Sequence, residues 1–316
     1  MDALNLALGT MFFGTRLDER TCFDLLDRFV ADGGTLIDTA NSYAFWADRS
    51  EVGGQSESVV GRWLASRHGM REHVYLSTKV GAEPTRPGEW PANAEGLSAA
   101  AIKAASQGSL RRLRTDWIDL YWAHMEDRSV PARETVAAMA ELVATGVVRR
   151  LGCSNHPVWR VEQAREIARA NGWAAYTALQ LRYSYLQPRP GASVPEQSAV
   201  RFGWVTDETI DYIQCNSRLS LWAYTPLLRG AYSAADRPLP EAYQHAGTTR
   251  RLAALTNVAQ QTGATRNQVV LAWLVGGDPS VTPIVGVSTA AQLAEAMTGV
   301  RLTLSTTQRQ DLDSAA

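Results

Sequence analysis

Compact runs of β-branched and aromatic residues alternate with stretches that are apolar at helical spacing, and no other feature limits the fold so strongly. The strand-like runs cover 35–38, 73–79, 117–124, 147–153, 178–181, 219–224 and 282–285, after an opening segment at 4–13. Helical spacing covers 20–32, 56–67, 98–112, 131–146, 158–170, 207–215, 250–261, 266–275, 290–297 and 305–312. Ser98 and Thr206 stand where caps are expected, and Pro131 where a first-turn proline fits. Short strands separated by helices this often indicate parallel βαβ units. Roughly eight units in a chain somewhat over ~250 residues predict an α/β fold, the (β/α)8 TIM barrel, with its active site at the C-terminal face of the strands. A doubly wound sheet would need GxGxxG after the first strand, and Gly9 and Gly14 do not fit that spacing. No break in composition divides the chain, so residues 1–316 are expected to form one domain. Three long connections, 44–54, 82–97 and 182–205, are the expected functional loops.

Bulk properties exclude several classes. A formal net charge of −1 leaves no basic footprint for nucleic acid. Cys22, Cys153 and Cys215 are widely spaced and form no CxxC pair, which fits a reducing cytoplasm better than a disulfide framework or zinc site. The first residues lack the basic and apolar regions of a signal peptide, and no apolar run approaches the ~18 residues of a membrane span. The expectation is a cytoplasmic protein with no nucleic-acid or membrane partner, its oligomeric state open. Five histidines, not clustered at strand ends, speak against a metal-dependent hydrolase on this barrel.

In a parallel barrel the strand ends converge, and the polar residues there are Asp38, Lys79 and His124, with Tyr43 in the loop after Asp38. A buried carboxylate must be paired, and Lys79 on the next strand supplies the cation. Taken singly, each residue has a plain reading: a solvated lysine, a structural histidine, an aromatic lid. Together they make a site for carbonyl reduction. A lysine beside the phenol is expected to lower its pKa from ~10, with Asp38 keeping the lysine charged. Tyr43 then donates a proton to a developing alkoxide while His124 orients the carbonyl oxygen. No side chain donates hydride, so a nicotinamide cofactor is implied.

These residues, together with Gly54-Gln55-Ser56-Glu57, Leu76-Ser77-Thr78-Lys79, Asp116-Trp117-Ile118-Asp119-Leu120-Tyr121 and Leu151-Gly152-Cys153-Ser154-Asn155, give the chain a resemblance to the aldo-keto reductases over nearly its whole length. The resemblance implies Asp38, Tyr43, Lys79 and His124 as a catalytic tetrad, with NADPH bound on a barrel. It implies Ser154, Asn155 and Gln180 on the nicotinamide carboxamide, Tyr224 stacked on the ring, and Thr225 and Leu227 beside it. It also places Gly286, Ser288, Thr289, Gln292 and Glu295 at the adenosine phosphates, where a glycine and hydroxyls at a helix start suit an anion. That segment has neither Lys nor Arg, which NADP-selective members commonly carry, and position 296 is alanine where many have asparagine. NADPH/NADP+ is the expected cofactor with NADH left open, and Arg229 and Arg301 are candidates to compensate.

The loop after Tyr43 is longer than the family usually has, and Phe45 and Trp46 are expected to line the substrate pocket, with Trp90 and Met125 as further candidates. The expected substrate is an aldehyde or ketone with some apolar bulk, sugars included. Similar barrels also serve as redox-sensing β-subunits of potassium channels, and that remains the alternative.

Overall fold

The computed structural model describes residues 4–192, 194, 202–233 and 236–315. Eight strands close into a barrel in sequence order, each parallel to its neighbours. They are β1 (Ala7–Gly9), β2 (Leu36–Asp38), β3 (Tyr75–Val80), β4 (Ile118–Ala123), β5 (Val148–Ser154), β6 (Tyr176–Arg182), β7 (Ser220–Tyr224) and β8 (Val281–Gly286). Around them run α1 (Glu19–Ala31), α2 (Gln55–Ser66), α3 (Met70–His73), α4 (Ala99–Leu113), α5 (Ala132–Ala144), α6 (Val158–Ala170), α7 (Asp207–Cys215), α8 (Ala246–Thr262), α9 (Arg266–Val275), α10 (Ala290–Gly299) and α11 (Thr306–Asp313). The expected (β/α)8 barrel is therefore present. No helix among the described residues is long and apolar enough to cross a membrane.

The helices start where side chains can hold their free N–H groups. Asp18 caps α1 and Ser98 caps α4, while Thr206, Thr265 and Ser305 close capping boxes on α7, α9 and α11. One apolar layer lies between sheet and helices; near the chain ends it includes Leu26, Phe29, Val60 and Trp63, all without exposed surface. Each such side chain contributes about 1.5–3 kcal/mol of burial. The barrel interior is separate and small: Ala7, Leu120, Trp122, Ala178, Trp222 and Ile284. Trp122 and Trp222 meet edge to face at 5.5 Å and plug it. Gly152 makes this possible, because a Cβ there would stand 2.3 Å from the Trp122 ring.

Departures from the sequence expectations are local. The run at 73–79 starts as strand only at Tyr75, because residues 70–73 wind into α3 behind Gly69 at φ 70°. Pro131 is the cap residue of α5 itself, not its first-turn residue. Helix α8 begins at Ala246, its start hidden in the sequence by Gly247 and two threonines. Of the long third loop, residues 193 and 195–201 lie outside the described residues.

Candidate active site

Asp38 is the last residue of β2, so its carboxylate stands at the mouth of the barrel. Strand register places Ser77 opposite it, and Lys79, two residues on, shares that face of β3. Lys79 Nζ uses all three donors: 2.6 Å to Asp38 Oδ2, 2.6 Å to Tyr43 Oη and 2.7 Å to the Thr39 carbonyl. Asp38 also accepts from Tyr43 Oη at 3.0 Å, from Ser77 Oγ at 2.7 Å and from Gln180 Nε2 at 3.3 Å. Neither Asp38 nor Lys79 has exposed surface, and these bonds offset the cost of burying both charges. Tyr43 and His124 are only partly covered, so the two residues open to a ligand are the proposed donor and its neighbour. Their rings meet edge to face with centroids 6.1 Å apart. His124 is fixed by its backbone N–H on the Val80 carbonyl at 2.8 Å, and its Nδ1 faces Ser42 Oγ at 3.4 Å.

The electrostatics correct one expectation. Burial, and then the Asp38 carboxylate, hold the Tyr43 phenol well above its ordinary value of 10.0, whereas the sequence reading had Lys79 pull it down. The reversal has a physical cause. Lys79 is shared with Asp38 at the same 2.6 Å, so its charge is largely neutralised before it reaches the phenol. Burial lowers the Lys79 pKa as well. Tyr43 therefore rests protonated through the neutral range, donating to Asp38 while accepting from Lys79. Burial, with Lys79 nearby, depresses His124 to about 3, so its imidazole is neutral near pH 7.

The residues expected on the cofactor side gather around the opposite half of the mouth. Asn155, at φ 58°, turns its amide so that Nδ2 donates to the His124 carbonyl at 3.0 Å and to Ser154 Oγ at 3.1 Å. Its Oδ1 accepts from Tyr224 Oη at 2.8 Å, and its backbone N–H bonds the Gln180 carbonyl. Ser154, Asn155, Gln180 and Tyr224 thus form one neutral network joined to the tetrad at His124 and Asp38, a donor set that suits a carboxamide. Thr225, at φ 55°, turns the chain after β7, and half-buried Leu227 follows.

At β8 the picture is more open. Gly286, Ser288, Thr289 and Gln292 are exposed, and the nearest atom to a Cβ on Gly286 would be the Gly9 carbonyl at 3.7 Å. Thr289 caps α10, and Ser288 holds the Gln292 side chain through both its N–H and its hydroxyl. Glu295 is turned away, accepting from Thr265 Oγ1 at 2.6 Å and Asn267 Nδ2 at 3.2 Å. Arg301 cannot serve this end, since its guanidinium binds the Met297 and Asp32 carbonyls beyond the far end of α10. A glycine, hydroxyls and an exposed helix start fit a phosphate chain by geometry, and residues 284–296 themselves carry no Lys or Arg.

Of the expected pocket residues, three come together. Phe45 meets Trp46 at 5.0 Å and Trp90 at 5.6 Å, so the loops after β2 and β3 share one aromatic wall. Trp46 is 52% exposed, which leaves its face free for a ligand, and Trp90 Nε1 is anchored on the Ala82 carbonyl. Met125 is half-buried, directly after His124. The sequence reading did not single out Ser77 or Ser42. Ser77 carried a readable signal: it lies two residues before Lys79, hence on the same face. Ser42 carried none. Among the described residues no group of three His, Cys, Asp or Glu is placed to hold a metal ion.

Comparisons with known proteins bear on the family and the fold. The family model described as "Aldo/keto reductase family" matches residues 5–316. A norsolorinic acid reductase of Emericella nidulans is 33% identical over 95% of this chain and 75% of its own length. An uncharacterized oxidoreductase of Bacillus subtilis is 30% identical over 95% of this chain and 88% of its own. Among solved structures, a thermostable aldo-keto reductase crystallised with the inhibitor epalrestat superposes with a TM-score of 0.73 at 26% identity, covering 99% of this chain and 95% of that one.

Proposed function

The chain belongs to the aldo/keto reductase family, and from that premise we propose that it is an NADPH-dependent oxidoreductase that reduces an aldehyde or ketone to the alcohol, with Tyr43 as proton donor. One observation carries the reading: Tyr43 Oη lies 2.6 Å from Lys79 Nζ and 3.0 Å from Asp38 Oδ2, on a ring still open to the mouth of the barrel. When bound, the reduced nicotinamide supplies the hydride. The protein's own residues do the rest. Tyr43 carries its proton at neutral pH and turns it from Asp38 toward the carbonyl oxygen as negative charge grows there. The phenolate left behind keeps its contact with the Lys79 ammonium, and Asp38 balances that ammonium before and after. Neutral His124, beside Tyr43, orients the same oxygen.

Ser154, Asn155, Gln180 and Tyr224 would hold the nicotinamide end, and Gly286, Ser288, Thr289 and Gln292 the phosphates. NADPH is the proposed cofactor by family habit. With neutral side chains at the start of α10, its advantage over NADH is expected to be small. The substrate class is an aldehyde or ketone with apolar bulk, seated against Phe45, Trp46 and Trp90.

Tyr43→Phe tests the reading. Cofactor oxidation with a panel of aromatic aldehydes, short aldehydes and sugars should fall about 10²–10⁴-fold in kcat, the usual worth of a positioned acid. Binding of NADPH, followed by quenching of tryptophan fluorescence, should stay within about threefold, because the hydroxyl is not placed among the cofactor residues. A variant as active as the parent removes Tyr43 from the chemistry.

A further inference from the structure

Two glutamates outside the tetrad sit where the two pocket loops join. Glu95 Oε1 accepts from Asn41 Nδ2 at 2.7 Å and from the Gly81 N–H at 2.7 Å. Glu83 Oε1 accepts from the Gly53 N–H at 2.7 Å. Asn41 and Gly53 bracket the loop that carries Tyr43, Phe45 and Trp46, while Gly81, Glu83 and Glu95 bracket the loop that carries Trp90. Within the second loop the Glu95 N–H bonds the Glu83 carbonyl at 2.9 Å, and Pro84 bridges Ala94 antiparallel, so the two carboxylates share one base. The loops are thus tied at both ends by carboxylates and in the middle by the Phe45–Trp90 contact.

The base is tight and not fully satisfied. A Cβ on Gly53 would stand 2.2 Å from the Asn41 carbonyl oxygen and 2.3 Å from Glu83 Oε2, so these two oxygens crowd one point. Glu83 Oε2 and Asn41 Oδ1 are buried without a hydrogen-bond partner. A buried acceptor with no donor is costly, and one proton on Glu83 Oε2 would turn it into a donor beside the Asn41 backbone carbonyl, which crowds the same point.

We propose that Glu83 and Glu95 are positioning residues: they clamp the loop after β2 onto the loop after β3 and so hold the aromatic wall over Tyr43. The inference rests on Phe45, Trp46 and Trp90 being the substrate wall. Its chemistry makes the clamp sensitive to pH. Burial first, and Glu95 among the lesser causes, push Glu83 up to about 7, and burial raises Glu95 also. The charged groups acting on Glu83 besides Glu95 are Glu57 on α2 and Arg112 of α4, which bind each other at 2.7 Å, while Asp127 sits at the Gly96–Leu97 turn and accepts from the Leu97 N–H. The buried Tyr121 phenol on β4 feels both Glu95 and Glu57. Arg112 favours the ionised glutamates only in part, since its Nε is bound to Glu57. A carboxyl whose pKa is raised in the closed arrangement favours closure fully below its ordinary value of 4.5, and that contribution is lost as pH rises through about 7.

The test is Glu83→Gln, which keeps the acceptor for Gly53 and places an amide donor permanently beside Asn41. In the parent, KM for the carbonyl substrate should rise about three- to tenfold from pH 5 to pH 8 with kcat unchanged apart from the tetrad's own profile, a pKa unit being a factor of ten in the closed-to-open ratio. The protection factor of the Gly53 amide in hydrogen exchange, corrected for intrinsic rate, should fall in parallel. In Glu83→Gln both should be flat and equal to the parent's low-pH values. In Glu83→Ala KM should be high at every pH, and rescue by Gln separates positioning from mere loss of packing. A Gly53 protection factor that does not change with pH in the parent overturns the clamp. Protection that changes while KM stays constant keeps the loop contact but overturns both its hold on the substrate and the assignment of the wall.

Discussion

Two aspartates are buried at opposite ends of this barrel, and the contrast between them separates chemistry from support. Asp119 lies at the N-terminal end of β4. It receives Arg71 Nη2 at 2.7 Å, Arg149 Nη1 at 2.9 Å and the Leu76 N–H at 3.0 Å. Both guanidinium groups stack on Trp117, at 4.2 and 4.8 Å from the ring centroid. Asp38, at the C-terminal end of β2, has a lysine, a phenol, a hydroxyl and an amide instead. The desolvation problem is the same and the partners differ. Arginine stays charged and its planar fork fixes geometry, whereas lysine and tyrosine each have a proton to trade. The lower aspartate is a bolt, and on the proposed reading the upper one anchors a movable proton.

The sharpest way to break this contrast is to remove one partner of the buried ion pair at each end. Lys79→Met should cost kcat about 10²–10⁴-fold, the scale of a general-acid contribution, because the phenolate left on Tyr43 loses the ammonium it contacts; an unchanged kcat would deny the lysine that role. It also leaves Asp38 buried with an unbalanced charge, so the melting temperature should fall. Asp119→Ala should destabilise by roughly 3–5 kcal/mol, nearer the lower figure because Arg149 is 60% exposed, and should leave kcat within about twofold. Chemical denaturation and steady-state rates on one preparation would read both, and a large loss of kcat without unfolding would erase the distinction.

A smaller effect tests His124. Its folded pKa of about 3 lies below the ordinary 6.5, so the folded state binds a proton less readily than the unfolded chain. Its contribution to stability is full above 6.5 and is lost as pH falls toward 3. The kcat profile should therefore show no ionisation near 6.5, and a break there that disappears in His124→Gln would refute the neutral ring. Smallest is Ser77→Ala, which removes one of the hydrogen bonds on Asp38 and should cost about 1 kcal/mol, read as a severalfold loss in kcat.

Most of the barrel was legible because β-branched runs and helix spacing are local signals, and α6, α7 and α9 begin and end where the pattern places them. That Asp38, Tyr43, Lys79 and His124 come together was legible for a related reason: strand ends in a parallel barrel converge whatever the loops do. The protonation of Tyr43 was not legible. It depends on Lys79 standing equally close to Asp38 and to the phenol, and a linear sequence gives adjacency without distance. Glu83 and Glu95 were hidden differently. They lie in a loop with no period, and only its fold back on itself brings them to Asn41 and Gly53.

The indole pair of Trp122 and Trp222, with Gly152 giving it room, sets how far anything can enter the barrel. On the proposed reading, a carbonyl coming from the mouth would meet Tyr43 above this indole stop. Depth would then be the same from one substrate to the next, and selection would fall to width and to what the rim can grip. Variation in the rim loops can retune the enzyme while the distance from entrance to proton stays the same.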